Sequence, residues 1–122
     1  MTQGSAPIKP ARRTRHRSLE PVLSYIEAHL GETLRLERLA ELSGLSLWRF
    51  ATVFREHVGV SPYRYVDQQR VRRAQVLLEQ HVPVARVASE TGFYDQSHLS
   101  RRFKRLCGMT PRQYQAGATP QD

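Results

Sequence analysis

Apolar residues recur at three- and four-residue spacing through most of the chain, the period of helices that each bury one face. Leu19, Val22, Leu23, Ile26 and Leu30 form the first series, with Ser18 expected as its cap, Pro21 in its first turn and Gly31 past its end. A second series, Leu36, Leu39, Ala40 and Leu42, stops at Ser43-Gly44. A third follows at once, capped by Ser46, with Phe50, Val53, Phe54 and His57 expected on the inward side and Gly59 as its stop. Two short helices joined by a glycine-containing turn make a helix-turn-helix pattern. Ser61-Pro62 then opens a long helix through Tyr65, Val66, Val71, Ala74, Leu77 and Leu78 to about Gln80.

Beyond that helix the earlier pattern returns. Leu36 to Tyr65 lies over Val84 to Tyr114 with one inserted residue in the later copy. Leu39-Ala40 matches Val87-Ala88, Ser43-Gly44 matches Thr91-Gly92, Phe54 matches Phe103, Gly59 matches Gly108, Ser61-Pro62 matches Thr110-Pro111 and Tyr65 matches Tyr114. A repeat of this length implies two copies of one supersecondary unit. The predicted fold is therefore all-α, with about seven helices: a first helix-turn-helix subdomain over 18–60, a linker helix over 61–80, a second subdomain over 81–116 and a tail over 117–122.

Composition narrows the function. Lys and Arg number 19 against 11 acids, giving a formal charge of +8 and a pI near 10.5, a balance that favours polyanions. Residues 1–17 hold Lys9, Arg12, Arg13, Arg15 and Arg17 among Pro7, Pro10, Gly4 and small polar residues, with no acid; they read as a disordered basic arm or linker in which His16 is merely solvated. Every apolar run is broken by charges well short of the roughly 20 residues a membrane span needs. No secretory signal is recognisable at the N-terminus, and one cysteine, Cys107, cannot form an internal disulfide, so the cytoplasm is expected, in association with the nucleoid. The five histidines show no metal-ligand spacing and no glycine-rich phosphate loop is present, so neither catalysis nor a cofactor is expected. Cys107 reads as a small buried hydrophobe, His57 as a core-edge residue, and His29 and His81 as structural residues near helix ends.

The stretch VASETGFYDQSHLSRRFKRLCGMTPRQY, from Val87 to Tyr114, resembles the signature of the AraC/XylS family of bacterial transcription regulators: an alanine, a glycine-phenylalanine turn, a phenylalanine-basic pair, then glycine, a Thr-Pro cap and a tyrosine. Gln69 to Leu78, QRVRRAQVLL, is similar to the family's arginine, alanine and double-leucine pattern in the linker helix. The resemblance runs from about Ser18 to Tyr114 and implies two helix-turn-helix subdomains bridged by one helix, each with a recognition helix that enters a major groove of double-stranded DNA.

Helical projection then assigns the side chains. In the second recognition helix Leu99, Phe103 and Leu106 share one side, while Ser97, Arg101, Lys104 and Arg105 centre on the other. Asp95 is placed to cap this helix, which puts Gln96, Ser97 and His98 in its first turn, where such helices reach base edges. Arg can bond guanine O6 and N7 and Gln can bond adenine N6 and N7, so Arg101 and Gln96 carry the readiest chemistry for reading bases. Arg102, Lys104 and Arg105 are expected around the reading face, toward phosphates, together with Arg112. In the first unit the resemblance points Trp48 toward sugars and thymine methyl groups and Arg49 and Thr52 toward bases or phosphates, with Arg55 on the same outward side. Packing of Trp48 against the long helix stands as a rival reading, and the short Ala51 leaves this helix specifying fewer positions than the second. Arg70, Arg72 and Arg73 are expected to pack and pair along the linker helix.

These observations lead to a sequence-specific DNA-binding transcription regulator, an activator, acting as a monomer, with RNA polymerase as a further candidate partner. Two other classes remain open: an architectural DNA binder of low sequence preference, and a helix-turn-helix module that grips protein. A linker helix of about 28 Å set against a groove repeat of about 34 Å further predicts one chain on a non-palindromic site of about two turns, with DNA bending or uneven engagement of the two helices.

Overall fold

A computed structural model of the chain describes residues 16–118. Among these the architecture is all helical, with a 3-10 turn at Arg17–Leu19 and seven α-helices: α1 (Glu20–Ala28), α2 (Leu36–Ser43), α3 (Leu47–Val58), α4 (Pro62–Glu79), α5 (Val84–Glu90), α6 (Gln96–Cys107) and α7 (Pro111–Gly117). Two compact units divide the chain within α4, one up to Asp67 and the other from Gln68. The basic arm expected over residues 1–17 lies outside the described residues except for His16 and Arg17. Of the tail expected over 117–122, only Gly117 and Ala118 are described.

The first unit is built by α1, α2, α3 and the start of α4. Leu19, Val22, Leu23 and Ile26 of the entry turn and α1 meet Leu39 and Ala40 of α2, Phe50, Val53, Phe54 and Val58 of α3, and Tyr65 and Val66 of α4 in one buried cluster. Phe54 supports its neighbours edge-on, with ring centroids 5.7 Å from Phe50 and 5.6 Å from Tyr65. Between α2 and α3 the buried Ser43 hydroxyl donates to the Ala40 carbonyl at 2.6 Å and accepts the Leu45 amide at 3.1 Å, so the turn leaves this polar side chain satisfied. Ser46 caps α3 by accepting the Arg49 amide at 3.2 Å, and Ser61 accepts the Arg64 amide at 3.2 Å at the start of α4.

The first unit departs from four expectations. Ser18 is not the cap of α1: the chain enters through the 3-10 turn, which places Ser18 inside it, and Leu19 stands at the cap position without a side-chain bond. His16 is not merely solvated; its Nδ1 accepts the Ser18 amide at 3.3 Å and lies 2.8 Å from the Ser18 hydroxyl. The first helix ends at Ala28, because His29 stacks on Tyr25 at 4.0 Å and donates through Nδ1 to the Tyr25 carbonyl at 2.9 Å, so Leu30 reaches the core from a turn. His57 is exposed rather than inward. Val58 and Val60 close the core at the end of α3, and the imidazole lies outside against the His16 ring, centroids 4.4 Å apart, where its polar atoms need no buried partner.

The second unit repeats the plan. Val71, Ala74 and Leu78 of α4 pack with Val84, Val87 and Ala88 of α5, Phe93 of the turn, and Leu99, Phe103 and Cys107 of α6. Thr91 takes the place of Ser43, fully buried, with its hydroxyl donating to the Val87 carbonyl at 2.7 Å. Phe103 meets Tyr114 edge-on at 5.4 Å, as Phe54 meets Tyr65. A capping box joins Thr110 and Gln113 at the start of α7. That helix is fastened to the end of α4 by the Tyr114 hydroxyl donating to Glu79, by Gln115 donating to the Val82 carbonyl at 2.7 Å, and by His81 Nε2 donating to the Ala118 carbonyl at 2.8 Å. Burial and the neighbouring Glu79 carboxylate push the Tyr114 phenol well above its usual range. Cys107 is the small buried hydrophobe expected; burial pushes its thiol up to about 11, partly offset by Gln75, which donates to Sγ at 3.4 Å.

A candidate nucleic-acid interface on α3 and α6

Each unit leaves one face of its second helix-turn-helix element to solvent. On α6 the apolar stripe of Leu99, Phe103 and Cys107 is buried, and Ser97, Arg101, Lys104 and Arg105 are exposed. Gln96, His98 and Arg102 flank them, half-buried. No acid occurs between Gln96 and Cys107, so the face carries the positive charges of Arg101, Arg102, Lys104 and Arg105 with no carboxylate of its own helix beside them. Asp95 caps the helix, accepting the His98 amide at 2.8 Å, so its carboxylate is engaged at the start of the face.

The structure fixes more of the first turn of α6 than spacing alone predicts. His98 is turned back toward the preceding turn: its ring stands edge-on to Phe93, centroids 5.2 Å apart, and its Nδ1 accepts the Tyr94 amide at 3.1 Å. Tyr94 itself is 90% exposed. Sequence reasoning missed it, although the signal was present. Aligning the repeats on their caps, Ser46 and Asp95, leaves a single residue between glycine and cap in the first unit and two in the second, so the insertion falls in the Phe93-Tyr94 stretch.

On α3 the buried side is Phe50, Val53, Phe54 and Val58, and Arg49 and Arg55 are exposed. Thr52 is half-buried and donates its hydroxyl to the Trp48 carbonyl at 3.2 Å, leaving its lone pairs as the outward chemistry. Trp48 is 75% exposed, which overturns the reading that it packs against the long helix. With Leu47 beside it, 43% exposed, it forms an apolar edge at the start of α3. Arg112, in the first turn of α7, is also exposed. Among the described residues no group of His, Cys, Asp and Glu is placed to hold a metal ion, and no helix is long and apolar enough to cross a membrane.

Two units, each offering an outward second helix after a glycine turn, define the class of double helix-turn-helix domains. Residues 39–117 match the model of a family described as "Helix-turn-helix domain". The chain is 32% identical over 104 residues to the multiple antibiotic resistance protein MarA of Escherichia coli, covering 84% of this chain and 82% of MarA. It is 36% identical over 93 residues to LumQ of Photobacterium leiognathi, a probable transcriptional regulator, covering 75% of this chain and 38% of LumQ. The chain thus spans well under half of that longer relative. Among solved structures, the DNA-binding domain of the global transcriptional factor AdpA, determined in complex with a target DNA, superposes with a TM-score of 0.78 at 34% identity, covering 81% of this chain and 90% of that one. The chain belongs to the AraC/XylS family of DNA-binding domains.

Proposed function

We propose that this chain is a sequence-specific transcription regulator, an activator, that reads double-stranded DNA in the major groove with α3 and α6. The observation that carries the reading is the outward face of α6, polar in its first turn and basic beyond it, with no acid along the helix. Gln96, Ser97, His98 and Arg101 are assigned to base edges, and Arg102, Lys104 and Arg105 to the phosphates that flank them. On α3, Trp48 is assigned to sugars and thymine methyl groups, Arg49 and Thr52 to bases or phosphates, and Arg55 to the outward edge of the same helix. The chain acts as a monomer in the cytoplasm, associated with the nucleoid, and RNA polymerase is its second partner.

Selection of bound duplexes from random DNA, followed by competition with unrelated DNA at physiological salt, tests this. A specific reader enriches one site and prefers it by about 10³-fold or more. Equal binding of all duplexes would replace the reading with architectural binding. No binding to DNA, together with capture of a polymerase subunit in its absence, would replace it with protein interaction. A reporter carrying the selected site upstream of a weak promoter then separates activation from repression.

A further inference from the structure

The two recognition helices differ at corresponding positions in a way that follows from the inserted residue. Aligned on their caps, Arg49 of α3 corresponds to His98 of α6. The extra residue before α6 introduces one more backbone amide, that of Tyr94, just upstream of the helix, and the His98 ring supplies its acceptor at 3.1 Å. An amide only donates, so Nδ1 carries no proton while this bond is made. In the neutral ring the proton therefore sits on Nε2. The edge-on contact with Phe93 at 5.2 Å and the half-burial of the side chain hold the ring plane, so the imidazole is fixed in both orientation and tautomer before any ligand arrives. Among the described residues Nε2 has no hydrogen-bond partner.

Resting on the proposed reading of DNA by α6, we infer that His98 is a donor-only contact: Nε2–H offers a hydrogen bond to an acceptor on the duplex and cannot itself accept from the amino group of cytosine or adenine. An unclasped histidine could do either, depending on its tautomer. The Phe93-Tyr94 turn thus converts an ambiguous side chain into a specified one. Its target is an acceptor atom: purine N7, guanine O6 or thymine O4 in the major groove, or an unesterified phosphate oxygen.

Two measurements test this. In the DNA-free chain, long-range proton–nitrogen correlation spectra of the neutral His98 ring are expected to show an unprotonated Nδ1 and a protonated Nε2. A protonated Nδ1, or an even mixture of tautomers, would overturn the clasp. On the selected duplex, 7-deazapurines, 2-aminopurine for guanine, 5-methyl-2-pyrimidinone for thymine, and methylphosphonates are introduced one position at a time. Wild-type affinity is expected to fall by about tenfold at one position, while His98→Ala, already weakened by a similar factor on unmodified DNA, is insensitive at that position and responds normally elsewhere. Sensitivity to a modified base identifies a base acceptor, and sensitivity to a methylphosphonate a phosphate; either supports the inference. The absence of any position with this paired behaviour would overturn it. Thermal melting of His98→Ala shows whether the variant folds, and if it does not, the wild-type spectra and the wild-type scan of the duplex decide. A chain that enriches no duplex would overturn the proposed reading and the donor role with it, whereas a normal selected site with a mobile tautomer would overturn the clasp alone.

Discussion

Arg101 and Leu99 lie two residues apart on α6 with opposite fates, the first exposed and the second fully buried. Arg101→Ala is expected to weaken the selected site by about 1–3 kcal/mol and relax the choice at one base pair, with melting unchanged, as measured by equilibrium binding to a panel of single-base variants. Equal losses on selected and random DNA would move Arg101 from bases to a phosphate. Leu99→Ala is expected to lose about 2–5 kcal/mol of stability through the cavity it leaves, so its binding defect is accompanied by a lower melting temperature. Cys107, buried with its thiol pushed up to about 11, is expected to resist iodoacetamide near neutral pH in the folded protein and to react once denatured. At this scale the sequence was legible wherever a side chain obeys helical phase, as at Leu99, Phe103 and Arg101. It was not legible at His57, whose phase favours the core but whose place in the last turn of α3 lets Val58 and Val60 close that core instead. His98 was recognisable as a first-turn residue, but its bond to Tyr94 depends on a turn geometry that spacing does not encode.

Helix ends were the most readable elements, because Ser46, Ser61, Asp95 and Thr110 each have a short polar side chain that accepts an amide three residues on. Among the caps expected from the sequence the exception is at the start of α1, where a histidine closes a 3-10 turn and the serine behind it only looks like a cap. The stops of α3 and α6 were equally readable, whereas α1 ends short of its expected Gly31. Gly59 and Gly108 end α3 and α6 in left-handed backbone, with φ of +100° and +81°. An added Cβ would meet no atom within 4 Å at either, so the cost of a side chain is confined to the backbone. Gly108→Ala and Gly59→Ala are each expected to destabilise by about 1–2 kcal/mol, while Gly108→Asn costs less, in chemical denaturation followed by circular dichroism. A neutral result would show that the turn relaxes out of the left-handed region. The fastening of α7 to the end of α4, through Tyr114, Gln115 and His81, was not foreseen beyond a structural role for His81, because it joins residues more than 30 positions apart by single polar contacts.

For the molecule as a whole, the repeat was what made the fold legible, since each half independently states the same sequence of cap, buried stripe, glycine and aromatic. Two reading helices on one chain predict one chain per non-palindromic duplex, measured by sedimentation of the complex; two chains on a palindrome would contradict it. The charge of +8 predicts affinity that falls steeply with salt. Deleting residues 1–15, which spares His16 and the turn it closes, is expected to flatten that slope and weaken all sequences alike, whereas Arg101→Ala also changes the order of preference. The buried residues of the two units form separate clusters with no member in common, Leu19 to Val66 in one and Val71 to Cys107 in the other. Each of α3 and α6 is therefore supported by apolar residues of its own half. A substitution that repacks one cluster removes no member of the other, so α3 and α6 are open to separate redesign, each on its own footing. The extra residue before α6 is one such difference, present in the second half and absent from the first.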